Sequence, residues 1–226
     1  MTRSAFRRPL AGPLLAAVFA VSSAVAHAQE SRPATPPAAT LTVPATPNPT
    51  CPIMGKPSSL KLFVDTAHGR VYTCCAPCNP KIKRTPDDLY RAAYPKVEKV
   101  GNTVCPVTGR PVPADAPTIV LQGREIALCC KDCVAAARDD AQRTLARALD
   151  PQLVDIGNDV DPTNGKPVGN FVAVVSGKLI RFASTDAIEE ARKDPAAALA
   201  KAEASAAAAA ATRPSADAAP ASRRAG

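Results

Sequence analysis

Cys51-Pro-Ile-Met-Gly-Lys-Pro57 and, a short way on, Val71-Tyr-Thr-Cys74-Cys75-Ala-Pro-Cys78 form a pattern that the chain writes again. The second copy reads Cys105-Pro-Val-Thr-Gly-Arg-Pro111, then Ile126-Ala-Leu-Cys129-Cys130-Lys-Asp-Cys133. A third copy keeps the frame without sulfur: Asp161-Pro-Thr-Asn-Gly-Lys-Pro167, then Ile180-Arg-Phe-Ala-Ser-Thr-Asp-Ala187. Asp161, Ala183, Ser184 and Ala187 stand where the other copies have cysteine. All eight cysteines of the chain lie in the first two copies, four in each. Gly69, Gly123 and Gly177 recur at equal intervals of 54 residues. A fixed period of this size is the signature of a repeat architecture.

Working outward, the two halves of each copy are joined by a hairpin signal. Residues 60–65 and 70–73 flank Ala67-His68-Gly69. Residues 118–121 and 124–128 flank Gln122-Gly123, and residues 171–175 and 178–182 flank Ser176-Gly177. A helix should follow each hairpin. One short helix is expected near Ala76, and a second at Thr85-Pro-Asp-Asp88, with Thr as N-cap and Pro at the first helical position. Residues 131–149 are rich in Ala and Arg and lack Gly and Pro, which predicts one continuous helix. Ser184 can cap the third.

The expected fold is therefore α+β, a tandem of small β-hairpin–helix modules. The first Cys-bearing module spans 51–100 and the second 101–157, and a degenerate Cys-free third spans 158–203. Units this small commonly need a metal or disulfides, because apolar burial alone rarely holds them.

The flanks read differently. Residues 1–28 carry Arg3, Arg7 and Arg8, then an apolar stretch, then the small-x-small site Ala26-His-Ala28, which is a secretory signal pattern. Pro13, Ser22 and Ser23 make the stretch a poor membrane span. The expected destination is the periplasm or the extracellular space, with membrane contact only through this segment if it is not cleaved. Residues 29–50 are rich in Pro, Ala and Thr without apolar periodicity, which predicts a disordered linker. Residues 204–226 read as an Ala-rich low-complexity tail. The formal charge is +8, but three of the basic residues lie in the signal. The rest are scattered, apart from Lys81, Lys83 and Arg84, as on a solvated surface. Export argues against nucleic acid as a partner. No Ser/His/Asp set, paired carboxylates or phosphate-binding Gly loop is present in the sequence, so the chain reads as a binding protein and not an enzyme.

Each hairpin folds one loop cysteine back toward three more at the start of a helix. Cys51 can approach Cys74, Cys75 and Cys78, and Cys105 can approach Cys129, Cys130 and Cys133. Free N–H groups at a helix start favour thiolate over thiol, and thiolates bind zinc, copper(I) and other soft metals.

These residues resemble the TRASH domain and the related YHS-type heavy-metal-binding modules. The resemblance rests on Cys-Pro-x-x-Gly-Lys/Arg-Pro, the hairpin glycine, the aliphatic and aromatic run into Cys-Cys, and the final Cys. It covers the two cysteine-bearing copies and, weakly, the third. It implies treble-clef-like folds that serve metal sensing, trafficking or resistance. It also implies the ligand sets Cys51, Cys74, Cys78 and Cys105, Cys129, Cys133. Cys75 and Cys130 are additional sulfurs that can supply a fourth ligand. The expected cargo is copper(I) or zinc, one ion per Cys-bearing module, exchanged with an envelope metal-handling protein. The sulfur-free third copy is expected to bind none, with Asp161 as a loop cap. His68 is expected to be a turn residue, and Met54 is a candidate soft ligand that its counterpart Thr108 does not match.

Two other readings stay open. An oxidising compartment and an even number of cysteines suit a disulfide-stapled module without metal. Cys75-Ala-Pro-Cys78 and Cys130-Lys-Asp-Cys133 also have the Cys-x-x-Cys form of thiol–disulfide exchange proteins.

Overall fold

The computed structural model describes residues 39–212, all within the compact unit Ala38–Gly226. The signal pattern, residues 29–38 of the linker and residues 213–226 of the tail lie outside the described residues.

The chain is mixed α+β. Strand β1 (Leu41–Thr42) is followed by the hairpin β2 (Ser59–Thr66) and β3 (Gly69–Thr73). A 3₁₀ turn at Ala76–Cys78 leads into α1 (Asn79–Arg84) and α2 (Pro86–Ala93). Then come β4 (Glu98–Lys99), the hairpin β5 (Thr118–Leu121) and β6 (Arg124–Ala127), α3 (Asp132–Asp139) and α4 (Ala141–Leu149). Strand β7 (Val154–Asp155) precedes the hairpin β8 (Phe171–Val175) and β9 (Lys178–Phe182), and α5 (Thr185–Ala191) and α6 (Pro195–Thr212) close the chain. The sheets are ordered β2-β3, β4-β6-β5 and β1-β8-β9-β7. Each hairpin is antiparallel. The short strands β4 and β7 pair in parallel with β6 and β9.

All three expected hairpins form. Gln122 (φ 47°) and Gly123 (φ 72°), like Ser176 (φ 51°) and Gly177 (φ 75°), take the left-handed values of a two-residue turn that matches strand twist. The equal glycine spacing, however, is one residue out of register in the first copy. Gly69 is the first residue of β3, opposite Thr66, and the turn is Ala67-His68. Gly69 (φ +94°) is required there because a Cβ would lie 2.9 Å from Cγ of Gln122.

Each hairpin is tied to the loop before it by one asparagine. Asn48 Oδ1 accepts from Tyr72 N at 2.8 Å, and its Nδ2 donates to Tyr72 O and Thr50 O. Asn102 does the same with Ala127 and Val104, and Asn158 with Arg181 and Val160. Tyr72, Ala127 and Arg181 each precede by two the residue at the end of the second strand: Cys74, Cys129 and Ala183. The side-chain amide thus substitutes for a missing strand partner at that point.

The apolar cores are small and mostly separate. Val64, Val71, Ile82 and Tyr90 form one, Leu121, Ile126, Leu128 and Leu145 anchor a second, and Val175, Ile180, Phe182 and Ile188 anchor a third. Ala146 of α4 packs on Val172 and Leu179, joining second to third. Polar contacts join them further. Buried Gln122 accepts from Arg70 N and from the Gln142 amide, and donates to Thr46. The Arg70 guanidinium lies 4.1 Å from the Phe63 ring centre and 4.5 Å from that of Phe171.

Three expectations are corrected. The linker is not free from residue 39 on. Leu41 pairs with Val175 and is buried in the third core, and Asn48 is buried by its clamp. Isolated anchors of this kind leave no periodicity to read. Residues 131–149 form two helices, because Asp140 breaks the run at φ −124°, ψ 54°. Its carboxylate faces Arg143 and Arg181, and the break lets α4 turn its buried side onto β8. Thr85 makes no side-chain cap, and its carbonyl accepts from Leu89 N instead. The Ala-rich stretch, whose composition favours a helix over residues 197–211, forms α6, which runs unbroken to Thr212 and is seated by Ala198 and Ala202. Ser184 does cap α5, through Ala187 N. Among the described residues no helix is long and apolar enough to cross a membrane.

Gly69→Ala should lower the unfolding free energy by about 2–3 kcal/mol, since it meets both left-handed strain and the Gln122 side chain. Gly55→Ala, at φ +65° with nothing within 4 Å of its Cβ, should cost only about 1 kcal/mol of backbone strain. Denaturant unfolding of the two variants side by side checks the difference.

Candidate metal centre

The loops that present Cys51, Cys105 and Asp161 share their backbone bonds. Cys51 N donates to Lys56 O at 2.7 Å and Gly55 N to Cys51 O at 2.9 Å. The corresponding bonds are Cys105 N to Arg110 O and Gly109 N to Cys105 O, both 2.8 Å, and Asp161 N to Lys166 O and Gly165 N to Asp161 O. The glycines close the loops at φ values of 65°, 76° and 70°. Each loop leaves N–H groups pointing at the side chain of its first residue.

Those N–H groups hold an anion. Burial pushes the Cys51 thiol up, but N–H donors from Cys74, Ile53 and Met54 outweigh it and lower the thiol from 9.0 to about 7. Burial likewise opposes ionisation of Cys105, and donors from Cys129, Thr108 and Val107 bring it down to about 6. In the third copy the carboxylate of Asp161 takes the matching donors, Thr163 N at 2.8 Å and Ala183 N at 2.6 Å. Asp161 is fully buried there, so it is the loop cap the sequence led us to expect, and it also ties the loop to the end of β9.

In the first two copies sulfur converges on that anion. The Sγ atoms of Cys51, Cys74 and Cys78 lie within 4.8 Å of one another, as do those of Cys105, Cys129 and Cys133. A tetrahedral ion with metal–sulfur bonds of about 2.3 Å sets its sulfurs about 3.8 Å apart. Cys129 and Cys133 are 3.6 Å apart. The donor set, the spacing and the burial of Cys51, Cys78, Cys105 and Cys133 fit a thiophilic ion, so these two triads can bind a metal. All eight cysteines are free thiols.

Cys75 and Cys130 stand outside the mutually close sets. They lie at the half-exposed rim, 3.4 Å from Cys78 and 3.3 Å from Cys133. Cys78 is pushed up to about 12, by burial first and then by the Cys75 and Cys51 sulfurs beside it. Cys133 and Cys74 move the same way from burial and neighbouring sulfur. Hydrogen bonds from the Cys133 side chain and N–H instead lower Cys130. The loop cysteine is thus the most acidic member of each triad, and the others would give up protons on binding an ion.

The other candidates fall elsewhere. His68 sits in the first hairpin turn, its ring 4.9 Å from that of Tyr90. Met54 is 52% exposed, and its counterpart Thr108 places its hydroxyl 3.2 Å from Cys129 Sγ. The clamp residues Asn48, Asn102 and Asn158 were not singled out from the sequence. Their signal is an asparagine three residues before Cys51, Cys105 and Asp161 in every copy. Compared with family models, with curated proteins and with solved structures, the chain matches none.

In reduced, metal-free protein one component of the ultraviolet thiolate absorbance should vanish as pH falls through about 7 and another through about 6. Cys51→Ser should abolish the first and Cys105→Ser the second. Because both folded values lie below the ordinary thiol value, the stability these groups add is complete above it and is lost as pH falls through the folded values. Asp161→Asn should lower unfolding stability by about 2–4 kcal/mol, because an amide NH₂ then faces N–H donors. It should leave metal content unchanged, and metal analysis with denaturant unfolding of the variant checks both parts.

Proposed function

We propose that this is an exported metal-binding protein that sequesters or passes on a thiophilic ion, copper(I) or zinc, at two three-cysteine sites. The observation that carries the reading is the convergence of Cys51, Cys74 and Cys78, and of Cys105, Cys129 and Cys133, each on one point. Three thiolates satisfy trigonal copper(I) alone, and zinc takes the same three with a solvent ligand in the fourth position. The resemblance to TRASH and YHS-type modules, carried by the Cys-Pro-x-x-Gly-Lys/Arg-Pro loops and the Cys-Cys-x-x-Cys turns, supports tandem treble-clef-like metal modules. The basic start, apolar stretch and small-x-small site of residues 1–28 support export to the periplasm or beyond.

The function is one of binding and transfer, not catalysis. The half-exposed rim at Cys74 and Cys129 offers a face at which an envelope metal-handling protein can take the ion by exchange of sulfur ligands. The third copy, with its carboxylate in place of sulfur, serves as the metal-independent part of the fold.

Protein purified from its own compartment should carry about two ions per chain, with thiols that react only after chelation. Cys51→Ser and Cys105→Ser should each halve the content, and the double variant should bind none. Elemental analysis with thiol titration checks this. A chain with no metal, no uptake on reconstitution and no protected thiols would overturn the reading.

A further inference from the structure

Cys78 and Cys133 belong to two constellations at once. Each is a member of a metal triad, and each has a sulfur outside the triad as close neighbour. Cys75 Sγ is 3.4 Å from Cys78 Sγ, and Cys130 Sγ is 3.3 Å from Cys133 Sγ. Backbone bonds from Cys78 N to Cys75 O at 3.1 Å and from Cys133 N to Cys130 O at 3.3 Å close the same four-residue turn. Such a turn keeps its first and last Cα within about 7 Å. A disulfide spans that distance once the sulfurs close to about 2.05 Å. Cys78 and Cys133 are buried, while Cys75 and Cys130 are half-exposed, so an incoming reagent meets the outer sulfur first.

We propose that each cluster has a second activity, thiol–disulfide exchange at Cys75/Cys78 and Cys130/Cys133, which competes with the metal for the shared inner sulfur and so releases the ion on oxidation. The proposal rests on the metal-binding reading. The oxidant is a disulfide, small or protein-borne. The Cys75 thiolate attacks one of its sulfurs and displaces the first thiolate, leaving a mixed disulfide on Cys75. The Cys78 thiolate leaves the metal, attacks Cys75 Sγ and displaces the second thiolate. One protein S–S bond forms and one external S–S bond breaks. Two electrons pass from the cysteines to the oxidant; one displaced thiolate takes up the proton of Cys75, and the other is protonated by solvent, because metal-bound Cys78 had already lost its proton. The ion keeps its charge and is left with Cys51 and Cys74, too few ligands to hold it against a chelator. Cys130 and Cys133 repeat the sequence, leaving Cys105 and Cys129.

The third copy fits the same logic in reverse. Ser184 and Ala187 occupy the places of the redox pair. There the serine hydroxyl caps α5 through Ala187 N at 3.2 Å, so the turn persists where neither metal nor sulfur is present.

The test uses the full chain loaded with zinc(II), which has no redox chemistry of its own, and treated with oxidised glutathione in the presence of a chromogenic chelator. Zinc should be released as disulfides form, and peptide mapping should place them at Cys75–Cys78 and Cys130–Cys133. The Cys75→Ser/Cys130→Ser variant should hold the same zinc before treatment and release it about tenfold more slowly. Equal release rates, disulfides mapped to Cys51 or Cys105, or a variant that no longer binds zinc would each overturn the proposal. A wild-type chain that takes up no zinc would instead sink the metal reading beneath it. If that same metal-free chain still forms the two mapped disulfides, the failure lies in the metal reading and not in the exchange chemistry.

Discussion

Every copy of the repeated pattern is built round one buried acidic side chain, Cys51, Cys105 or Asp161, that backbone N–H groups face. The loop supplies donors from Ile53 and Met54, from Val107 and Thr108, or from Thr163, past the proline that follows its first residue, and the end of the second hairpin strand supplies another, from Cys74, Cys129 or Ala183. Without an anion those donors would be buried and unpaired, a cost of about 1–3 kcal/mol each. With one, the loop and the strand end are fastened together at the point where a cluster can be built. The asparagines three residues before the loop's first residue grip the strand two residues before its end donor and do the same work with a neutral amide, so loop and strand are joined twice in each copy.

This constraint explains why cores so small suffice. The first is built round Val64, Val71, Ile82 and Tyr90 with little else, and each gains from being joined to its neighbours by polar groups. Gln122 sits at the junction of the first two hairpins, and Arg70 bridges the first to the third between two phenylalanine rings. Buried polar groups of this kind are tolerated because each has its partners. The third copy has a carboxylate at the socket where the other two have sulfur, and through Ala146 on Val172 and Leu179 it supports the second.

The cysteines and hairpins were legible because their signals are local: residue type, spacing, and a two-residue turn at Gln122-Gly123 or Ser176-Gly177. That each loop cysteine meets the three at its strand end followed from a hairpin bringing its two ends together, whereas the choice of Cys51, Cys74, Cys78 and of Cys105, Cys129, Cys133 among them was implied by the family resemblance. What stayed hidden was set by tertiary contacts. Leu41 looks like one apolar residue in a Pro- and Ala-rich stretch, and only the edge of β8 gives it a place. Asp140 breaks a run of good helix formers because α4 must face β8 and because Arg143 and Arg181 meet its carboxylate. The equal spacing of the glycines misled by one residue, since Gly69 answers to Gln122 and not to a turn. The asparagines were visible as a third repeated letter, but their role needs the strand that they clamp.

Asp161 has a consequence for descent. A socket that accepts either sulfur or a carboxylate lets a copy of the pattern keep loop and strand fastened whether or not a cysteine cluster is built on it. Once a carboxylate stands at the loop, Ala183, Ser184 and Ala187 need no sulfur, and those positions are free to drift toward helix capping and small-residue packing. The path also runs the other way. A sulfur-free copy with this loop keeps the frame that gathers the cysteines in the other two, so losing or gaining a cluster disturbs few of its contacts.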